Sequence, residues 1–133
     1  MNFVFIVDTS ISMAQNFEIL SIFDTCKSAI KMFFNRRMEW INLNRSKLNK
    51  IDRFYLVTLN EEYNNSKLNV FNFSQEHFLN QLKALTLTYD TTDLETGIRT
   101  GFKIINSYRI FTNDKHIYGR NFNSIQNTYF FLF

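Results

Sequence analysis

Hydrophobic positions fall into two kinds of run along this chain, short unbroken ones and longer ones at helical spacing. Phe3-Val4-Phe5-Ile6-Val7 is unbroken and rich in β-branched residues, which predicts a strand buried on both faces. Ile19, Ile22, Phe23, Cys26, Ile30, Phe33 and Phe34 recur at helical spacing with Asp24, Lys27 and Lys31 between them. That spacing predicts an amphipathic helix over about 17–38. The periodicity is lost over 39–49, so a loop is expected there, with Trp40 folded back onto the helix end. Residues 52–59 are rich in β-formers and predict a second strand. A polar turn over 60–65 and a more polar run over 67–73 predict an antiparallel edge strand joined to it by a hairpin.

Ser74 reads as the cap of a helix over 75–85, with Glu76 in its first turn and Phe78, Leu79, Leu82 and Leu85 on one face. After a connection at 86–90, Thr91-Thr92-Asp93 opens another helix, expected to carry Leu94, Ile98, Phe102 and Ile105 to the core. Residues 106–127 read as a long polar connection with Gly119 as a turn point, and 128–133 start a further buried strand. The order β-α-β-β-α-α-β belongs to a layered α/β fold, with the first strand near the centre of a doubly wound sheet. The sequence ends where the later strands of such a sheet begin. The expectation is therefore one incomplete domain over 1–133, stopped after the start of the fourth strand. With that side of the sheet so short, Phe3, Phe5, Phe130, Phe131 and Phe133 are expected to be partly uncovered, and the chain poorly stable.

Composition changes this picture little. A chain of 133 residues, 45% hydrophobic and 20% charged, suits one globular domain. Its 16 Phe, absent Pro and abundant Asn read as codon usage in an AT-rich genome. The net charge of +3 is mild, and Arg36, Arg37, Arg45, Lys47, Lys50 and Arg53 read as a solvated face. No nucleic-acid partner is expected from it. The single cysteine, Cys26, excludes an intrachain disulfide and reads as a buried, inert thiol. Neither a signal peptide nor a run near the ~20 apolar residues of a membrane span is visible, so an intracellular protein with no membrane partner is expected.

Candidate chemistry sits where the first apolar run stops. Asp8, Ser10 and Ser12 alternate along the loop that leaves the C-terminal end of the buried strand, the place where ligands bind in open α/β sheets. A carboxylate and two hydroxyls so spaced can point at a common centre, and hard divalent cations such as Mg²⁺ take oxygen ligands of this kind. The competing use of Asp and Ser in such a turn is to cap the next helix. A position behind an apolar strand and ahead of an amphipathic helix raises the metal reading until the two uses stand level. His77 and His116 are isolated in the sequence, and no nucleophile–base pair is evident.

Together these features resemble the von Willebrand factor A domain family. Its metal-ion-dependent adhesion site combines D-x-S-x-S after the first strand, a Thr from a later loop and an Asp from the loop after the fourth strand. The first element matches Asp8, Ser10 and Ser12. The family pattern T-x-L-x-x-x-apolar matches Thr92, Leu94 and Ile98, which makes Thr92 the ligand in preference to Thr91. The third element, commonly T-D-G, would lie beyond Phe133. The resemblance implies a Rossmann-like sandwich, a central mostly parallel sheet flanked by helices. It also implies Mg²⁺ or Mn²⁺ at Asp8, Ser10, Ser12 and Thr92, held weakly or not at all without the third loop.

Within that family the chain is similar to the Integrator complex subunit 6 group. Val7 to Met13 compares with I-D-T-S-A-S-M, Asp24-Thr25-Cys26-Lys27 with D-T-A-K, and Asp52 to Thr58 with D-R-Y-M-L-V-T. Leu94 followed by Ile98 to Phe102 compares with L-R-T-A-F. Tyr118-Gly119-Arg120-Asn121 compares with Y-G-x-G-R-N-P, without the second Gly and the Pro. This resemblance implies a non-catalytic nuclear scaffold whose protein partners are Integrator subunits and protein phosphatase 2A. The complex of that group processes small nuclear RNA 3′ ends and attenuates transcription. The enzymatic alternative is a haloacid-dehalogenase-like, Mg²⁺-dependent phosphatase fragment with Asp8 as nucleophile. There Ser10 stands where the general acid belongs, and a hydroxyl cannot supply that proton near neutral pH. Extracellular adhesion would suit the fold but calls for a signal peptide.

Overall fold

The computed structural model describes residues 1–44, 52–59, 75–88, 93–114 and 127–133. In chain order the elements are β1 (Asn2–Val7), a 3-10 turn (Ile11–Ala14), two short strands β2 (Asn16–Phe17) and β3 (Leu20–Ser21), α1 (Ile22–Leu43), β4 (Arg53–Thr58), α2 (Gln75–Ala84), α3 (Leu94–Asp114) and β5 (Thr128–Leu132). The central sheet runs β4-β1-β5 with both pairings parallel. Phe3 lies opposite Phe54 and Tyr129, and Phe5 opposite Leu56 and Phe131. Parallel neighbours need crossover connections, which place helices on the sheet faces. Hence an apolar run with no alternation: all of β1 is buried.

Side-chain alternation divides the strands between two layers. Phe3, Phe5 and Val7 join Phe54 and Leu56 against Phe23, Ile30 and Phe34 of α1 and Phe78 and Leu82 of α2. Val4 and Ile6 join Tyr55, Val57 and Leu59 against Ile105 of α3. The first layer absorbs much of the phenylalanine. Phe34 stacks on Phe78 at 4.6 Å between centroids and meets Phe54 edge-on at 4.8 Å, pairings that each add ~0.5–1.5 kcal/mol beyond area burial. Phe3 and Phe5, expected to be partly uncovered, are therefore only 5% and 0% exposed. Phe131 and Phe133 are half-buried, whereas Phe130 is exposed.

Helix α1 begins and ends later than the hydrophobic spacing predicts. Asn16–Phe17 pairs with Leu20–Ser21 in a small antiparallel ladder, with Glu18 at φ 60° in its turn. Ser21 then caps the helix: its hydroxyl accepts from the Asp24 N–H at 3.0 Å and donates to the Asp24 carboxylate at 2.7 Å. This reciprocal cap overrides the apolar Ile19, which is left fully solvated. At the far end the expected loop is helix through Leu43. Asn44 closes it, its side-chain amide donating to the Trp40 carbonyl at 2.9 Å. Trp40 is not folded back; it stands on the helix with the Arg37 guanidinium 4.3 Å from its ring.

Helix α2 forms as expected, with Phe78 and Leu82 buried. Helix α3 runs on to Asp114, through residues expected to be a polar connection. It also presents a different face from the one predicted. Leu94, Ile98 and Phe102 are exposed, and only Ile105 of the expected set is buried. Gly97 and Gly101 face the sheet instead: a Cβ on Gly97 would overlap Leu59 Cδ2, and one on Gly101 would come 3.0 Å from Phe130 and 3.3 Å from Val4. The edge strand expected over 67–73 and the basic residues Arg45, Lys47 and Lys50 lie outside the described residues.

Candidate metal centre

The chain leaves β1 at the C-terminal edge of the sheet without at once breaking its ladder, since the Asp8 N–H donates to the Phe133 carbonyl at 2.8 Å. The half-buried Asp8 side chain folds forward, and Oδ1 accepts the Ser10 N–H at 2.8 Å, an Asx turn. Oδ2 takes no hydrogen bond among the described residues. Ser10 occupies the cap position of the 3-10 turn, yet its side chain caps nothing. Its hydroxyl lies 2.7 Å from that of Ser12. Capping of α1, the competing use of these residues, is carried out by Ser21 and Asp24. Ile11, between the serines, points outward at 47% exposure, while Thr9 is turned inward at 2%.

These oxygens fit a small hard cation. Ligands at ~2.0–2.1 Å around an octahedral Mg²⁺ stand ~2.9 Å apart along each edge, and the Ser10–Ser12 oxygen separation of 2.7 Å is close to that edge. Among the described residues no three His, Cys, Asp or Glu side chains gather to hold a metal. A site here has one carboxylate supplemented by hydroxyls, a donor set for Mg²⁺ or Mn²⁺ and not for zinc.

Thr92 and Thr91 lie outside the described residues, but both flanks are placed. Ahead of them, the Thr88 N–H donates to the Thr9 carbonyl at 2.7 Å, and Ser10 and Thr88 form a parallel bridge. Behind them, the Asp93 N–H donates to the Leu59 carbonyl at 3.2 Å, and the Leu59 N–H donates to the Val7 carbonyl at 3.2 Å. Asp93 itself is no spare ligand. One carboxylate oxygen accepts the Glu95 N–H at 2.9 Å and the other the Thr96 hydroxyl, as the cap of α3. Those bonds, the Thr96 hydroxyl foremost, hold its carboxyl below the usual carboxylate range.

Cys26, expected to be buried, is half-buried near this loop. Its partial burial and then the Asp8 carboxylate push the thiol above the ordinary cysteine range. His77 is exposed on α2 and bonds with Gln81 at 3.0 Å; His116 lies outside the described residues. Sequence reasoning missed Thr9 and Thr88, which face each other with hydroxyls 3.3 Å apart. Thr9 carried one signal, its position out of phase with Asp8, Ser10 and Ser12. Thr88 carried none.

The family model of the von Willebrand factor type A domain matches residues 3–119, and the chain belongs to that family. The match runs from β1 past the end of α3, so it contains the Asp8–Ser12 loop and Thr92. Domains of this family are generally non-catalytic modules that mediate protein–protein interactions. No curated protein matches the chain.

Proposed function

We propose that this chain is a non-catalytic interaction module that holds Mg²⁺ or Mn²⁺ through Asp8, Ser10, Ser12 and Thr92 and engages a carboxylate of a partner protein. The observation that carries this reading is the Ser10–Ser12 oxygen pair at 2.7 Å beside an Asp8 oxygen with no hydrogen bond among the described residues. A bound Mg²⁺ or Mn²⁺ would supply a positive centre able to take an Asp or Glu carboxylate of the partner. The chain's own part is to hold the oxygens outward, with Asp8 pinned through Oδ1 and Thr9 turned inward. Exposed Ile11 lies within the same loop and gives the partner an apolar contact next to the charged one.

The phosphatase alternative lacks its proton donor. Position 10 offers a hydroxyl already bonded to Ser12, and the Cys26 thiol is raised by its partial burial and then by Asp8, not activated. The setting proposed is a nuclear assembly of the Integrator type, with Integrator subunits and protein phosphatase 2A as the partners. Its support is the order and spacing of the matched segments at Val7–Met13, Asp24–Lys27, Asp52–Thr58, Leu94–Phe102 and Tyr118–Asn121.

The test is capture from nuclear extract by the tagged chain, in Mg²⁺ and in EDTA, beside an Asp8→Ala variant. Integrator subunits or the phosphatase should be retained in Mg²⁺ and lost in EDTA and in the variant. Capture unaffected by either change removes the metal from the mechanism. Metal-dependent phosphatase turnover abolished by Asp8→Ala would replace the module with an enzyme.

A further inference from the structure

We propose that Thr88 and Lys27 are positioning residues for the Asp8–Ser12 loop, acting through a strap, residues 85–88, that is fastened at both ends. The proposal rests on reading that loop as the metal-bearing one. At the first end, the Lys27 ammonium on α1 donates to the carbonyls of Lys83 and Leu85 at 3.1 and 3.0 Å. These belong to the C-terminal end of α2, where carbonyls lack partners within the helix. At the second end, the Thr88 N–H donates to the Thr9 carbonyl at 2.7 Å. The Thr88 hydroxyl lies 3.3 Å from both that carbonyl and the Thr9 hydroxyl. Between the two ends, Leu85 and Leu87 pack against the phenylalanine-rich core.

The consequence for the loop follows from alternation. Successive side chains of extended backbone point to opposite sides, so Thr9 held inward at 2% exposure sends Asp8 and Ser10 to the other side. Thr88 clasps the one loop residue that must face in. The same residue begins the stretch that leads through Thr92 to Asp93, which is tied in turn to the end of β4 by the Leu59 carbonyl. One fastening thus sets the direction of the first ligand loop and the starting point of the second.

Hydrogen exchange at the Ser10 and Thr88 amides in EDTA tests the strap without metal, and calorimetric titration with Mg²⁺ alone tests its effect on the site. Thr88→Val keeps the side-chain shape and removes the hydroxyl; Lys27→Met keeps the stem and removes the ammonium. Thr88→Val should speed exchange at those two amides by about 3- to 10-fold, the worth of one neutral hydrogen bond. Lys27→Met, which removes two bonds from a charged donor, should speed it by at least about 3-fold. The β1 and β4 amides should stay as protected as in the parent chain, and Mg²⁺ affinity should fall by a similar factor. Thr88→Ser should restore both readouts. Unchanged exchange at Ser10 and Thr88 in both variants overturns the proposal, whatever the metal does. A parent chain that binds no Mg²⁺ yet loosens at Ser10 on Thr88→Val overturns the metal reading and supports the strap. Should Thr88→Val expose the β1 amides as well, Lys27→Met decides on the same two amides.

Discussion

Asp52 is a carboxylate with a side chain only 5% exposed, and what keeps it there is charge pairing at the N-terminal edge of the sheet. Arg37 reaches it from α1 with Nε 2.6 Å from Oδ2, and the Met1 amine lies 2.9 Å from Oδ1. The Arg37 guanidinium also lies over the rings of Trp40 and Phe3, so it is packed as well as paired. Removing one partner of a buried pair leaves the other charge desolvated, at about 3–5 kcal/mol. Because the Met1 amine stays in place, Arg37→Met should cost roughly 2–3 kcal/mol in urea unfolding. The exposed Arg99→Ala, which loses a solvent-screened pair with Glu95, should cost under about 1 kcal/mol. It also loses a weak attraction to Asp93. Cys26 gives a second expectation at this scale. Its thiol is raised by partial burial and by Asp8, so at pH 8 it should alkylate more slowly than an unstructured cysteine peptide. Asp8→Asn should quicken it by removing one raising cause. The sign for stability is that of an acid raised on folding: the contribution is complete below the unfolded-state pKa and is lost as pH climbs through the folded one. Alkylation rates that ignore both pH and Asp8→Asn would count against this electrostatic coupling.

Elements were legible in the sequence where burial is written in apolar residues, and illegible where it is written in their absence. The unbroken run of β1 and the one-sided run of α2 specify their structures because each names the surface it buries. Helix α3 does not, since beside Ile105 its contact with the sheet is made by two glycines, and hydropathy spacing cannot register a missing side chain. The contact face therefore lies one residue, about 100°, away from the stripe that the spacing picks out. Likewise α1 starts just after Ser21 because a reciprocal cap overrides the apolar Ile19, and stops just before Asn44, whose side chain bonds to the Trp40 carbonyl. The glycine contact can be tested by filling it. Alanine gains about 1 kcal/mol of helix propensity over glycine. At Gly97 the new methyl would overlap Leu59, itself 6% exposed, and approach Ile6 at 3.3 Å, an overpacking worth ~1–3 kcal/mol. At Gly101 the nearest atoms are an edge of Phe130, an exposed ring whose packing partner Phe102 is exposed as well, and Val4. Gly97→Ala should lower the urea midpoint and Gly101→Ala should leave it level or raise it. The reverse order would mean that α3 does not rest on the sheet through Gly97.

Across the whole molecule, the parallel sheet gathers onto one edge groups that are far apart in sequence. Both β1 and β4 run the same way, so the Asp8–Ser12 loop and Leu59 emerge together. The chain returns to that edge at Thr88 and again at Asp93. The carboxylate and hydroxyls of the first loop were legible because their alternate spacing is local. The fastening at Thr88 was not, because its partner Thr9 is 79 positions away and only the fold brings them together. This gathering sets an expectation for the intact chain. Of the proposed ligands, Asp8, Ser10 and Ser12 lie on the first loop and Thr92 lies in sequence between Thr88 and Asp93, which reach this edge only in the folded state, so the unfolded chain cannot reproduce the site. A ligand that binds only the folded form stabilises it by RT ln(1 + [L]/Kd), about 1.4 kcal/mol at ten times Kd. For a domain of this size that raises the unfolding temperature by about 4–6 °C. Calorimetric melts should rise along that logarithmic curve as Mg²⁺ is added and return on EDTA treatment. Asp8→Ala should abolish the increment, while its metal-free melt stays close to that of the parent chain, because Asp8 is half-buried and its side chain's one hydrogen bond among the described residues lies within its own turn. Thr92→Val should reduce the increment, since it removes a proposed hydroxyl ligand and leaves the carboxylate. A rise that persists undiminished in Asp8→Ala would place the cation elsewhere on the chain. A rise lost in Asp8→Ala but untouched by Thr92→Val would confine the site to the first loop.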